Sequence, residues 1–188
     1  MIFTRRKKAK HLKAPRPETQ EPAEAPGGQG RRNGKLLDGF LLLYSCRVRL
    51  PQEALRSKIS GENVVEVVEE DLSYFKNLVY LDISDNEVAM ESLRNLSALQ
   101  ELNMQYNNID HLQLRNGNFP HLEKLLLSYN RIPPSHLQNL RFLNNLRVLD
   151  LASNDLCTLP EDLSFLQALE ELNLASNNFS SDSVLVRP

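Results

Sequence analysis

The stretch that decides the fold is LEKLLLSYNRI, residues 122–132, which follows the pattern LxxLxLxxNxL. Apolar side chains alternate with other side chains through Leu125 and Leu127, a period of two that is typical of a short strand with one buried face. Asn130 follows at the point where such a strand ends. A single strand of this length is not stable by itself, so we expect it to be one copy of a repeated unit.

The same pattern occurs five times in the chain. The copies are, in order, Leu78, Leu81, Ile83, Asn86, Val88; Leu99, Leu102, Met104, Asn107, Ile109; Leu122, Leu125, Leu127, Asn130, Ile132; Leu146, Leu149, Leu151, Asn154, Leu156; and Leu169, Leu172, Leu174, Asn177, Phe179. Successive asparagines are 21, 23, 24 and 23 residues apart. This spacing resembles that of the leucine-rich-repeat family. We therefore predict an α/β solenoid with a curved parallel sheet on its concave face and short helices or 3₁₀ turns on its convex face.

Each copy carries one asparagine where the chain leaves the predicted sheet. An amide side chain both donates and accepts hydrogen bonds, so it can satisfy backbone groups that would otherwise be buried without partners. We predict a structural ladder formed by Asn86, Asn107, Asn130, Asn154 and Asn177. Replacing one of them by alanine is expected to lower the free energy of unfolding by about 1–3 kcal/mol.

The segments around the five copies complete the predicted organisation. Glu91–Leu99 and Ser135–Leu146 have helical apolar spacing and are expected to form short helices on the convex side. Upstream, Ile59-Ser60-Gly61 begins a degenerate leading repeat in which Glu62 replaces the ladder asparagine. Pro51 is expected to open a short helix of the cap. The predicted domains are an arm at 1–35, a cap with the degenerate repeat at 36–77, and five repeats at 78–188.

No cap is recognisable after the fifth copy. Ser180–Pro188 begins what resembles another crossover and then stops. An array without a cap would expose the apolar edge of its core. We therefore expect the C-terminal cap to be missing because the chain is truncated, spliced short, or covered there by a partner.

Charge is unevenly distributed along the chain. Residues 1–35 contain ten Lys and Arg residues against three acids, whereas the remainder contains 12 basic and 21 acidic residues. The arm is therefore basic and the repeats are acidic. Residues 14–35 are rich in Pro, Glu and Gly, a composition that predicts disorder.

The basic cluster at the start of the arm has three possible uses. Its residues are Arg5, Arg6, Lys7, Lys8 and Lys10. They fit a nuclear-localisation signal, a patch that binds nucleic acid or another polyanion, or a solvated tail. The cluster has no interleaved aromatic residues, so stacking on bases is not supported.

The repeat register predicts which side chains the sheet presents to solvent. The predicted partner-binding residues of this concave face are Tyr80, Asp82, Glu101, Asn103, Gln105, Tyr106, Lys124, Leu126, Tyr129, Val148, Asp150, Glu171 and Asn173. Leu126 and Val148 form an apolar centre, and the surrounding charges are mainly acidic. This composition is typical of an interface and favours a basic or amphipathic protein partner. The alternative is a sheet that is merely solvated.

No feature of the sequence predicts catalysis or a bound cofactor. The four histidines have no metal-ligand spacing, and no GxSxG, GxGxxG or phosphate-binding loop occurs. We expect no enzyme activity, no cofactor, no metal and no small-molecule substrate. Cys46 and Cys157 are expected to be free, buried thiols. Without a signal peptide or a membrane span, we expect an intracellular protein of the cytoplasm, the nucleus or both.

Several motifs resemble one branch of leucine-rich-repeat proteins. They are Leu36-Leu37-Asp38-Gly39-Phe40, Ile59-Ser60-Gly61 followed by Glu69-Glu70-Asp71-Leu72, and Asn118-Phe119-Pro120-His121-Leu122 leading into Leu127-Ser128-Tyr129-Asn130. On these residues the chain resembles the X-ray radiation resistance-associated proteins. The resemblance implies a non-enzymatic nuclear and cytoplasmic factor linked to the response to ionising radiation. It implies no particular site residues.

Taken together, these observations predict a protein-interaction scaffold that binds a partner on its concave face. Two other functions stay open at this point. The chain could be a structural clamp in a large ciliary or cytoskeletal assembly, or a nucleic-acid-associated regulator that uses the basic arm. Repeat solenoids share one architecture across unrelated functions, so the fold alone does not name the partner.

Overall fold

The structure, a computed structural model, describes residues 34–160 and 162–180. The predicted nuclear-localisation cluster and the arm up to residue 33, for which the composition predicts disorder, lie outside the described residues, as do residues 181–188. The chain divides into two units, residues 1–33 and 34–188, and the description that follows concerns the second.

The described residues form short strands separated by helical turns. The N-terminal elements are β1 (Lys35–Leu37), α1 (Gly39–Cys46), a 3₁₀ helix (Pro51–Glu53), β2 (Arg56–Lys58), β3 (Val64–Val67) and α2 (Glu69–Leu72). The repeats add β4 (Tyr80–Asp82), β5 (Glu101–Asn103), β6 (Lys124–Leu126), β7 (Val148–Asp150) and β8 (Glu171–Asn173). Two further 3₁₀ helices, Met90–Leu93 and Pro134–Phe142, lie between strands of the repeats.

Six strands form one parallel sheet in the order β2-β4-β5-β6-β7-β8. Each pairs with the next in the same register, so that the middle residue of one strand faces the middle residue of its neighbour. In β4 to β7 this middle residue is a leucine with at most 1% of its surface exposed. These leucines anchor the strands to the core, and the flanking strand residues face the other side of the sheet.

Two crossovers between strands of the repeats contain 3₁₀ helices, in agreement with the predicted short helices or 3₁₀ turns. The two segments expected to be helical, residues 91–99 and 135–146, overlap the 3₁₀ helices Met90–Leu93 and Pro134–Phe142, which cover only part of them. Leu93, Leu96, Leu137 and Leu140 are buried from these segments. Because a 3₁₀ helix places residues i and i+3 on one face, each short turn returns the chain to the core with few residues.

The first strand of the six-stranded sheet, β2, belongs to the predicted degenerate repeat. Its middle residue is not a leucine but Ser57, which is buried and shares a 2.6 Å hydroxyl–hydroxyl hydrogen bond with Ser45 of α1. Glu62 lies 24 residues before Asn86, at the position that the ladder asparagine occupies in later repeats. It is exposed there and pairs with Lys35.

A small second sheet precedes the repeats and was not predicted. Strands β1 and β3 pair in parallel. Helix α1 follows β1 and precedes β2 in the chain. Asp38 starts α1, since its carboxylate accepts a hydrogen bond from the N–H of Leu41 at 2.8 Å. Lys35, placed in the arm by the sequence prediction, is instead the first residue of β1.

The two cysteines were predicted to be free and buried. The cysteines are free, but the prediction that both are buried is wrong, because Cys46 is half-buried and Cys157 is exposed. Burial raises the pKa of the Cys46 thiol, and hydrogen bonds with nearby hydroxyl groups lower it; burial dominates, so the pKa is raised.

Leu172 of β8 is 39% exposed, in contrast to the middle leucines of β4 to β7.

Candidate protein interface

The ladder asparagines form the backbone-bonding network that fixes one repeat to the next. In each repeat the side-chain oxygen accepts the N–H of the residue two positions beyond the preceding ladder position: Val64, Val88, Ile109, Ile132 and Leu156. The side-chain nitrogen donates to a carbonyl of the preceding repeat: Ile59, Ile83, Met104, Leu127 and Leu151. The network holds the turns in register and leaves the strand side chains available for another role.

Strand residues on either side of the buried middle residue form two columns on the concave face. Paired register gives a first column of Arg56, Tyr80, Glu101, Lys124, Val148 and Glu171. The second column is Lys58, Asp82, Asn103, Leu126, Asp150 and Asn173. The structure therefore brings all the predicted strand residues of the interface onto one surface.

Four residues of the second column also have a structural task that the sequence analysis missed. The side-chain oxygens of Asp82, Asn103, Asp150 and Asn173 each accept the backbone N–H two residues ahead, at 3.0–3.1 Å. Asp82 additionally accepts the hydroxyl of Ser84 and is only 5% exposed. These side chains close the turn after each strand. Asp82 in particular offers little surface, so its assignment as a contact residue is corrected.

Leu126 is the exception in the second column. Its neighbours in register are Asn103 on one side and Asp150 on the other, and both bond their own backbone. A leucine cannot make that bond, and its side chain is half-buried on the concave face. The scaffold therefore does without one turn-closing hydrogen bond here in exchange for an apolar side chain in the middle of the sheet.

The charge of the concave face differs from the prediction because β2 belongs to the sheet. Arg56 and Lys58 add two positive charges at its first strand, and neither was included among the predicted contact residues. The guanidinium of Arg56 lies 4.0 Å above the ring of Tyr80, and the Lys58 amine lies 3.5 Å from Asp82. The face is basic at β2 and mainly acidic from Asp150 to Glu171. The 24-residue spacing between Glu62 and Asn86 was the signal that could have identified this strand.

Beyond the strands, a third column is formed by the residue directly before each ladder position. These residues all have a left-handed backbone, with φ between 53° and 68°: Gly61, Asp85, Tyr106, Tyr129, Ser153 and Ser176. The Tyr106 and Tyr129 rings stack with their centroids 4.2 Å apart and their planes 8° from parallel. Both rings are about half exposed, at 52% and 51%.

Titratable groups of the described residues do not assemble into a metal site. No cluster of three or more His, Cys, Asp or Glu side chains with ligand geometry occurs in residues 34–160 and 162–180. His111 bonds Asp110 at 2.6 Å, which raises the pKa of the imidazole, with a further contribution from Glu91. His136 accepts the N–H of Leu112 through Nδ1. In the same part of the chain, no helix has the length and hydropathy needed to cross a bilayer.

Comparison with known proteins matches this geometry to a repeat family. A family model described as leucine rich repeat matches residues 120–179. Among curated proteins, the chain is 28% identical over 127 residues to X-ray radiation resistance-associated protein 1 of Mus musculus. That alignment covers 68% of this chain but only 16% of the mouse protein.

Two solved structures share the fold. A leucine-rich-repeat protein of Leptospira interrogans superposes with a TM-score of 0.57 and 28% identity, over 70% of this chain and 34% of that one. TLR13, solved in a complex with ssRNA13, superposes with a TM-score of 0.55 and 26% identity, over 64% of this chain and 18% of that one. The predicted solenoid fold is confirmed.

Proposed function

We propose, from the premise that this chain is a leucine-rich-repeat protein resembling X-ray radiation resistance-associated protein 1, that it is a non-enzymatic scaffold. It binds a protein partner on the concave sheet, with the contact centred on β5, β6 and β7. The partner is a basic or amphipathic protein, since the acidic groups Glu101 and Asp150 lie on this part of the face and Glu171 lies on the adjacent strand β8. The similarity to leucine-rich-repeat proteins supports the general part of this proposal, that the chain takes part in protein–protein interaction.

The observation that carries the proposal is Leu126. In every other ladder-bearing repeat, the same register position holds an Asp or Asn that bonds the backbone two residues ahead. A residue type that recurs at one register position of every repeat reflects a structural requirement. A repeat that departs from it therefore needs a different explanation. Leu126 lies on β6 and Val148 on the neighbouring strand β7, in the other column, and polar and charged groups occupy most of the remaining positions. An apolar centre within polar surroundings is the composition of the centre of a protein interface.

The experiment uses the full chain as bait for proximity labelling in cells. The wild type is compared with Leu126→Asn, which installs the residue type that β5 and β8 carry in this register, and with Gln138→Lys, an exposed change on the Pro134–Phe142 helix. Proteins that depend on the concave face are labelled by the wild type and by Gln138→Lys but not by Leu126→Asn. An identical labelled set for all three chains contradicts the proposal.

The proposal also concerns the location of the protein in the cell and the process in which it acts. We propose an intracellular protein, cytoplasmic, nuclear or both, that acts in the response to ionising radiation. The support for the radiation response is the resemblance to the mouse protein, of which the chain spans 16%, whereas the location is proposed from the sequence alone. Imaging the full chain and a chain without residues 1–13, before and after irradiation, tests both parts. Nuclear signal that is lost with the arm supports import, whereas filament or axoneme staining supports the structural-clamp alternative.

A nucleic-acid function is less well supported by the described surface. One structural relative is named as a complex with ssRNA13. On the concave face of this chain, however, Arg56, Lys58 and Lys124 are interspersed with acidic residues, and affinity for phosphates needs a continuous basic surface. The basic cluster of the arm lies outside the described residues, so this alternative depends on the arm alone.

A further inference from the structure

The tyrosine pair of the third column is unusual for the positions that it occupies. Left-handed backbone conformations are unfavourable for bulky L-residues and are most common for Gly, Asn and Asp. The other members of the column are small or are Asp: Gly61, Asp85, Ser153 and Ser176. Tyr106 and Tyr129, with φ of 55° and 58°, are therefore not required by the turn.

Stacking of the two rings follows from the register of the repeats. The N–H of Tyr106 donates to the carbonyl of Ser128, the residue before Tyr129, so the two tyrosines are neighbours across one repeat. Adjacent strands of a sheet lie about 4.8 Å apart, which is close to the distance between the centroids of two stacked aromatic rings. The pair thus forms a flat aromatic platform at the end of the strands. Its outer surfaces face the Asp85 position on one side and Ser153 on the other.

A carboxylate lies beside the platform on the Tyr106 side. Asp85 is exposed and directly precedes Tyr106 in the column. Its oxygen Oδ2 lies close to Gly61, since a Cβ atom added at Gly61 would be 3.3 Å from it. Partial desolvation, the hydrogen bond to Tyr129 and the charges of Tyr129 and Asp85 raise the pKa of the Tyr106 phenol.

The wider edge is acidic as well. The residues directly after the ladder positions include Glu87 and Asp155, with Arg131 as the basic residue of this row in the described repeats. Together with Asp85 the edge has more negative than positive charge. A planar cation is complementary to this arrangement, because a ring face attracts a cation and the carboxylate pairs with it.

The molecule already contains one example of such stacking. Arg56 places its guanidinium 4.0 Å over the ring of Tyr80, which belongs to the next strand of the same sheet. A guanidinium therefore stacks on the ring of a tyrosine in the adjacent repeat of this sheet. In the third column of the described repeats, the position next to Tyr106 on the N-terminal side holds Asp85 and not an arginine.

From this geometry we infer that the Tyr106–Tyr129 platform with Asp85 is a subsite for an arginine side chain of the protein partner. The guanidinium stacks on the outer face of Tyr106 and donates hydrogen bonds to the Asp85 carboxylate. The inference deepens the proposed function, on which it rests, by naming the residue that the partner presents. A nucleic acid fits less well, because its phosphates would approach Asp85, Glu87 and Asp155.

The test uses the full chain labelled with 3-fluorotyrosine. The chain has five tyrosines and no tryptophan, so each ¹⁹F signal can be assigned with single variants. The probe is a capped glycine–serine peptide with one central arginine. Its controls carry lysine or the neutral isostere citrulline at the same place, and an oligouridine is titrated separately.

Arginine peptide is expected to shift the signals of Tyr106 and Tyr129 and to leave those of Tyr44 and Tyr74 unchanged. Citrulline peptide is expected to bind at least about fivefold more weakly, and Asp85→Asn to weaken the arginine peptide by about two- to fivefold, the range of exposed cation–π and ion pairs. Tyr106→Ser is expected to abolish the response. It installs the residue found at Ser153 and Ser176, and an unchanged Tyr80 signal shows that it folds.

Three results would overturn the inference. The first is equal binding of the citrulline and arginine peptides. The second is a response to the arginine peptide that is unchanged in both Asp85→Asn and Tyr106→Ser. The third is binding of the oligouridine that is stronger than that of the arginine peptide and depends on the two tyrosines. The proposed function fails separately. If labelling of partners is lost with Leu126→Asn but kept with Tyr106→Ser, the concave face binds the partner and the arginine subsite is wrong.

Discussion

The side-chain nitrogen of Asn130 donates a 3.0 Å hydrogen bond to the carbonyl of Met104, one repeat earlier in the chain. Its side-chain oxygen accepts the N–H groups of Asn107 and Ile109 at 3.0 and 2.9 Å. One buried amide therefore satisfies backbone groups that two neighbouring turns would otherwise leave without partners. The ladder converts a series of short strands into a continuous core.

Asn130→Ala is expected to lower the free energy of unfolding by about 3 kcal/mol, the upper part of the range for buried groups left unsatisfied. Asn177→Ala is the matched control, because Asn177 makes similar bonds but is only half-buried. Its loss is expected to be smaller, since water can replace part of the bonding. Urea unfolding followed by circular dichroism measures both. Equal losses would show that burial of the ladder is not what determines its contribution.

Leu126→Asn and Leu125→Ala separate the outer from the inner face of β6. Leu125 is fully buried, so its truncation is expected to cost about 2–5 kcal/mol. Leu126→Asn is expected to change stability by less than about 1 kcal/mol, because Asn103 already holds an equivalent turn. Thermal and urea unfolding of both variants test this difference. A Leu126→Asn loss as large as that of Leu125→Ala would place Leu126 in the core instead of the interface.

Gly34→Ala is expected to disturb the small sheet of β1 and β3. A Cβ atom at Gly34 would overlap the side chain of Val65 in β3. Either the valine or the strand must move, and overpacking of this kind costs about 1–3 kcal/mol. Gly117→Ala serves as the control, since no atom lies within 4 Å of its Cβ position and only the positive φ of 86° opposes it. Hydrogen exchange of the β3 amides should increase in Gly34→Ala alone.

The pKa of His111 is expected to lie above the ordinary value for histidine, mainly because of its hydrogen bond to Asp110. Asp110→Asn should bring it back toward that value, as read from the imidazole signals in an NMR titration. A raised histidine pKa stabilises the folded state below the ordinary pKa, and this contribution disappears as the pH rises through the raised one. The hydrogen bond to His111 lowers the pKa of Asp110, so the carboxylate contribution is lost only in strong acid. The pairing therefore stabilises most in mildly acidic solution, and an unchanged His111 pKa in Asp110→Asn contradicts it.

The repeats were predictable because five copies carry the same physical requirement. A leucine in the middle of each strand and an asparagine after it are the residues that the core and the ladder need, so the register can be counted from the sequence. The register of the leading repeat could be counted from Glu62, but β2 was not included in the predicted interface because Ser57 stands where the leucine is expected. Ser57 is tolerated in the core because Ser45 satisfies its hydroxyl, a contact between residues that no local pattern connects.

The concave face was predictable in position but not in detail. Alternation assigns Asp82, Asn103, Asp150 and Asn173 to the outer side of the sheet, where they are found. It does not reveal that their side chains bond the backbone two residues ahead, which depends on the conformation of the turn. Comparison down each column therefore identifies the residues that the scaffold does not require. Leu126 and the two stacked tyrosines are such residues.

The most direct test of the account is the equilibrium affinity between the purified full chain and the partner that proximity labelling identifies. The account predicts that Leu126→Asn weakens binding at least about tenfold, the loss typical of a central interface residue. Gln138→Lys, on the Pro134–Phe142 helix, should leave the affinity unchanged within about twofold, as rim and remote positions do. An affinity that falls with Gln138→Lys but stays at the wild-type value with Leu126→Asn would contradict the concave face as the binding surface.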